Sequence, residues 1–319
     1  MASASMVLDV SPLAPGLPFG ATISGLGLVD LDDIQVQSAL RDLWIDKGVV
    51  LFRHGEESRE MQLALSRIFG PLEQHMFAET HAEGEAELTK IKFYPDDGSY
   101  YEIDGDLRGS FLPWHSDLIY THRINRGGIL RPVELPQEAG RTGFIDRIAA
   151  YERVPAALRE RIEDLHVVYE VEVDASITRF ANPGRSVKLV RMATSGKGIE
   201  TRKFTYPRVI HPMVYTQAET GRKVLNLSPW FALGIYEMGG RDGDELLEEL
   251  VALSTDPTYA YMHEWRMGDM VLWDNWRTLH CFTGVPPHVT RVMERTTISG
   301  DYAMGRPLGL GGPEAIFDM

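Results

Sequence analysis

The chain has 319 residues, 44% hydrophobic and 24% charged, an ordinary globular composition long enough to bury a sizeable core. Its net charge of −14, from 32 basic against 46 acidic residues, argues against a nucleic-acid or anionic-membrane partner, because neutralising phosphates needs clustered Lys and Arg. The single cysteine, Cys281, excludes an intrachain disulfide, no run of about 18 apolar residues offers a membrane span, and cytoplasm is the expected compartment.

No basic residue precedes Arg41 and three prolines break residues 1–18, so the start lacks a secretory n-region and reads as a loose leader. Gly20 to Gly27 predicts a short strand, Leu31-Asp32-Asp33 the cap of a helix reaching about Lys47, and Val49 to Phe52 a buried strand. Glu56 to Phe69 has apolar residues at helical spacing and is stopped by Gly70-Pro71. Leu88 to Tyr94 alternates as a strand, Pro95 to Gly98 is a turn, and Tyr100, Tyr101 and the acids after them read as a loop leading to Trp114.

Arg126 to Val133 predicts the next strand, Pro136 to Gly143 a polar turn, Arg147 to Leu165 a helical span with Pro155 at a helix start, and Val167 to Val173 a strand. Eight basic residues against one acid lie between Arg179 and Arg208, and with the glycines around them predict a mobile basic segment over about 176–206, either a solvated loop or a subunit contact. Asp242 to Ser254 is an amphipathic helix with an acidic first turn. Tyr259 to Trp265, Met270 to Trp273 and Val292 to Ser299 complete a set of closely spaced strands, and residues 305–319 read as a loosely attached tail. That density predicts one mostly β domain over 1–319 with flanking helices, a jelly roll.

His115 and Asp117, two apart on an extended segment, point to the same face and can converge on one ion. With His280 they would make two imidazoles and a carboxylate, the set that leaves open positions in non-heme Fe(II) oxygenases. Each residue taken singly also reads as an ordinary strand, turn or core residue.

Taken together, His115-x-Asp117, Gly140-x-Thr142, Gly221-Arg222-Lys223, Trp273-Asp274-Asn275 leading to His280, and Arg291 followed by Arg295 resemble the taurine/2,4-D dioxygenase family. The resemblance runs from about Gly20 to Tyr302. It implies a double-stranded β-helix, Fe(II) held by His115, Asp117 and His280, and 2-oxoglutarate and O2 as cosubstrates. It also implies that Arg291 and the Thr142 hydroxyl bind the far carboxylate of 2-oxoglutarate, and that Arg295 clamps the substrate's anionic end beside His75 and Phe231. For the basic segment over about 176–206 it implies a third role, a mobile lid that steers anions. The family commonly has an acid where Arg141 stands. Asp117 sets aside a halogenase, in which a small residue replaces that carboxylate.

The implied activity is hydroxylation of a small organic anion, a carboxylate, sulfonate or sulfate ester, with C–X cleavage where the carbon bears O, N or S. Tyr100, Tyr101, Phe111, Trp230 and Phe231 suggest an aromatic-lined pocket. Two other readings stay open: a biosynthetic oxygenase acting on an amino-acid-derived or larger metabolite, and a non-catalytic jelly-roll binding protein. Multimers are common among the relatives, which leaves a homo-oligomer open.

Overall fold

The strand Val49–Arg53 carries four apolar residues in a row because both of its faces are covered. Val50 and Phe52 face the helices Ile34–Lys47 and Arg59–Phe69, packing with Leu40, Trp44, Met61 and Leu65. Val49 and Leu51 face the other way, into a cluster with Leu130, Phe144, Val271, Trp273 and Met293. The computed structural model describes residues 8–74, 81–200 and 206–308.

The strand belongs to a nine-stranded sheet. Its order is Asp9–Pro12, Ala21–Ser24, Val49–Arg53, Met270–Asp274, Gly127–Glu134, Arg291–Ile298, Glu85–Phe93 and His81–Ala82, with Leu72–Glu73 beside Arg291–Ile298. A four-stranded sheet, ordered Tyr261–Glu264, Arg141–Asp146, Thr278–Phe282, Leu112–His115, supplies Phe144 to the same cluster, so the two sheets pack face to face. Every pairing is antiparallel except that of Ala21–Ser24 with Val49–Arg53. The result is a jelly roll with helices outside it, as expected.

Several local expectations need correction. Tyr100–Ile103 is a strand, not a loop, held between Asp106–Gly109 and Val187–Arg191. Thr142 lies on the strand Arg141–Asp146, so the polar turn ends sooner than its sequence suggests. Arg147–Arg153 and Ala156–Ile162 are separate helices, because Pro155 has no N–H to continue the ladder and restricts Val154 to extended geometry. Asp9–Pro12 pairs with Ala21–Ser24, and Arg306–Pro307 pairs with Val209 and Ile210, so neither described end is wholly loose.

The basic stretch is tied down where it is described. Val187–Arg191 is a strand and Thr194–Glu200 a helix. Arg179 pairs with Asp244 and Glu248, Arg185 with Asp104, and Arg208 with Glu170, while Arg191 donates to the carbonyls of Gly98 and Pro95. Acids from distant segments therefore compensate three charges, those of Arg179, Arg185 and Arg208, that look unopposed in sequence. Among the described residues, no helix is long and apolar enough to cross a membrane.

Candidate active site

The strands Leu112–His115 and Thr278–Phe282 pair so that His115 and His280 stand directly opposite, with ring centroids 4.2 Å apart. Asp117 follows two residues on; its Oδ1 is 3.8 Å from His115 Nε2 and 3.6 Å from His280 Nε2. The three potential ligand atoms lie within 4.8 Å of one another, a donor set that suits a six-coordinate Fe(II) with open positions.

Supporting contacts prepare these groups for a metal. His115 Nδ1 lies 2.7 Å from the Pro113 carbonyl, which places its proton there and turns the Nε2 lone pair toward Asp117. Burial, and the neighbouring His280, push the His115 imidazole down to about 3, so it stays neutral. Burial alone would raise the Asp117 carboxyl, but Arg295 and the two histidines outweigh it and hold the group well below the usual carboxylate range. The Asn275 side chain accepts from Asp117 N at 2.8 Å and donates to Asp117 O at 3.0 Å, pairing with that backbone as a strand would. The next residue, Leu118, has φ 56°, a left-handed turn that carries the chain away at a local cost.

Arg291 and Arg295, four apart on Arg291–Ile298, share the inward face of the large sheet. Gly128 lets that face close up: a Cβ there would stand 2.5 Å from the Thr296 carbonyl and 3.4 Å from Arg295 Nε. Arg291 is 5% exposed, and neither its Nε nor its Nη2 has a hydrogen-bond partner among the described residues. Burial alone lowers it to about 9. A buried cation left uncompensated is costly, so an anion belongs beside it. Arg291 and Thr142 line an inner cavity of about 80 Å³ with His115, Asp117 and His280, and a dicarboxylic 2-oxo acid fits this set, with a chelating end at the histidines and a charged end at Arg291.

A wider cavity of about 570 Å³ opens outward from the same cluster, walled by Leu112, Tyr120, Trp230 and Phe231, with Arg123 at its exposed rim. Trp230 and Phe231 stack at 4.6 Å, and Tyr120 meets Phe231 edge-on at 4.9 Å. Arg295 lines both cavities, and its Nη2 is ion-paired with Asp117 Oδ2 at 3.0 Å.

His115, Asp117, His280, Thr142, Arg291, Arg295 and Phe231 thus converge, whereas His75 lies outside the described residues; Glu73 and Gln74, just before it, line the outer cavity. Tyr100, Tyr101 and Phe111 do not line either cavity. The Tyr100 hydroxyl lies 2.7 Å from both the Pro95 and the Pro287 carbonyls, Tyr101 donates to the Val173 carbonyl, and Phe111 packs against Tyr101. Arg141, standing where an acid is common, pairs with Glu264 outside the site. The Cys281 thiol is buried, as expected, and burial pushes it up to about 12. Tyr120 and Asn275 had no assigned role in the sequence reading. For Tyr120, an aromatic three residues past the carboxylate on a turn was the available signal. A still larger cavity of about 710 Å³ lies beyond Gly140 and Thr283, but among its charges Arg141 and Arg185 already have acidic partners.

Comparison with known proteins agrees with this geometry. The model of the family described as "Taurine catabolism dioxygenase TauD, TfdA family" matches residues 9–297. The chain is 31% identical over 307 residues to the (S)-phenoxypropionate/alpha-ketoglutarate-dioxygenase of Sphingobium herbicidovorans, covering 94% of this chain and 97% of that one. It is 28% identical over 295 residues to the pentalenolactone F synthase of Streptomyces arenae, covering 90% and 94%. A crystal structure of a putative alpha-ketoglutarate-dependent taurine dioxygenase from Burkholderia xenovorans shares the fold, with a TM-score of 0.71 at 24% identity over 96% of this chain and 99% of that one. The chain therefore belongs to the TauD/TfdA family and is an Fe(II)- and 2-oxoglutarate-dependent dioxygenase.

Proposed function

We propose that the whole chain is one catalytic domain in which His115, Asp117 and His280 hold Fe(II) and Arg291 with Thr142 binds the far carboxylate of 2-oxoglutarate. Arg295 receives the anionic end of a small substrate whose hydrophobic, aromatic-sized body lies against Phe231, Trp230 and Tyr120. The observation that carries this reading is Arg291, a buried cation without an acidic partner among the described residues, opening into the same cavity as the His-Asp-His cluster.

Iron and 2-oxoglutarate together activate O2, releasing succinate and CO2 and hydroxylating the substrate carbon. The protein's own residues supply position. Arg291 fixes one end of the cosubstrate through a charge-assisted contact in a dry site. Arg295 fixes the substrate anion near Asp117, which sets how far the reacting carbon stands from the cluster. The aromatic wall of Trp230, Phe231 and Tyr120 takes an apolar ring and excludes water from it. Where the hydroxylated carbon bears oxygen, the product collapses, releasing the phenol, alcohol or sulfate and leaving an aldehyde or keto acid.

The phenoxypropionate-acting relative supports an aryloxyalkanoate, whereas the pentalenolactone F synthase supports a second reading, a biosynthetic oxygenase for a larger metabolite. Succinate release measured across aryloxyalkanoates, alkyl sulfates, taurine and neutral polycyclic lactones separates them. The first reading expects turnover of an aryloxy acid and none of its methyl ester. Turnover of neutral lactones without turnover of any anion favours the second. Absence of succinate with every compound, from protein loaded with iron, counts against both.

A further inference from the structure

We propose that Trp265 is a positioning residue for the cosubstrate: it sets the preference for a 2-oxo acid with a second carboxylate by orienting the Thr142 hydroxyl and flanking Arg291. This rests on the reading above, in which Arg291 and Thr142 take the far carboxylate.

The indole Nε1 of Trp265 donates to Thr142 Oγ1 at 2.9 Å, in a buried setting. An indole N–H only donates, so Thr142 must accept there, and its own proton has to point elsewhere. Among the described residues that hydroxyl proton has no acceptor, while Thr142 lines the inner cavity with Arg291. The hydroxyl is thereby left as a donor for an anion in the cavity. The same ring lies 6.0 Å from the Arg291 guanidinium, and Phe282 lies 4.2 Å from it, so aromatic groups flank the cation that the anion would meet.

Trp265 is itself held. His263 abuts its ring edge-on at 4.5 Å; Tyr261 lies 3.0 Å from His263 Nδ1, Asp269 lies 3.1 Å from His263 Nε2, and Arg53 holds Asp269 at 2.7 Å. A chain of four buried or half-buried polar side chains, His263 against the ring with Tyr261, Asp269 and Arg53 behind it, thus backs an indole that lines neither cavity of the site, which is more ordering than packing alone requires.

The test uses full-length protein loaded with Fe(II) without oxygen, titrated with 2-oxoglutarate and separately with pyruvate, which lacks the second carboxylate. Binding is read from the visible metal-to-ligand charge-transfer band. Trp265→Phe keeps an aromatic ring at the position and removes the N–H. The expected result is a 2-oxoglutarate Kd raised by roughly tenfold or more, the scale of a hydrogen bond to a charged group, with pyruvate unchanged. The substitution should add nothing in a Thr142→Val background. Equal weakening of both acids, or no weakening of either, overturns the proposal, as does a Trp265→Phe effect that multiplies with Thr142→Val. Arg291→Gln separates the two levels. If Arg291→Gln abolishes the preference while Trp265→Phe leaves it, only the Trp265 role is wrong; if Arg291→Gln also leaves it, the far-carboxylate assignment itself fails.

Discussion

Arg295 Nη2 lies 3.0 Å from Asp117 Oδ2, so the arginine proposed to receive a substrate anion is already ion-paired with the carboxylate at the centre of the His-Asp-His cluster. A guanidinium has five donors, and the Arg295 Nε is buried without a hydrogen-bond partner among the described residues, which leaves capacity for a second anion. In the proposed roles, one side chain would tie substrate position to the metal carboxylate.

Arg295→Gln removes that shared cation. The Michaelis constant for the organic anion should rise roughly 10- to 100-fold, the range for a charge-assisted hydrogen bond, while the 2-oxoglutarate constant stays within about twofold. Steady-state kinetics with succinate detection reads both. A parallel rise in the two constants would mean that Arg295 serves the cosubstrate instead.

Arg291→Met exchanges function for stability. Removing a buried cation that has no acidic partner among the described residues should stabilise the metal- and cosubstrate-free protein by about 1–4 kcal/mol, seen as a higher unfolding midpoint in urea. The same variant should lose 2-oxoglutarate binding. A variant that is less stable without cosubstrate contradicts the picture of an uncompensated charge.

Asn275→Asp keeps an acceptor for Asp117 N and deletes the donor to Asp117 O. Metal affinity, measured by equilibrium dialysis with Fe(II) or Co(II), should fall about 10- to 100-fold, as for other groups that orient metal ligands. Unchanged affinity would assign Asn275 to folding alone.

His211 is fully buried, and burial lowers it to about 4 from 6.5 against a smaller opposing effect of its hydrogen bond to the Thr121 carbonyl. The unfolded chain then binds more protons between those values, so stability is complete above 6.5, falls as pH drops toward 4, and levels off below. From this residue alone the loss approaches about 3 kcal/mol. Urea unfolding of metal-free protein at pH 7 and pH 4.5 should show a smaller difference for His211→Gln than for the parent. An equal difference would place the acid sensitivity elsewhere.

The chemistry was legible where local spacing determines direction. Arg291 and Arg295 follow strand alternation along Arg291–Ile298, and Asp117 meets His115 from the turn just past the end of Leu112–His115. Features that depend on distant partners were not legible. Tyr100–Ile103 reads as a loop because what makes it a strand is Val187–Arg191, far along the chain. The charges after Arg179 look free because their acids, Asp104, Glu170, Asp244 and Glu248, come from other elements. Composition could not separate Phe231, which lines the outer cavity, from Tyr101, whose hydroxyl is spent on a backbone carbonyl. The bond between Arg295 and Asp117 joins two elements and has no local signature.

The most direct test of the site is anaerobic addition of Fe(II) and 2-oxoglutarate to metal-free protein and to His115→Ala. The account predicts a visible metal-to-ligand charge-transfer band in the parent that is lost in the variant. A folded parent that binds iron yet shows no band would contradict it, and would leave the inner cavity as a binding site without the chelate that the chemistry requires.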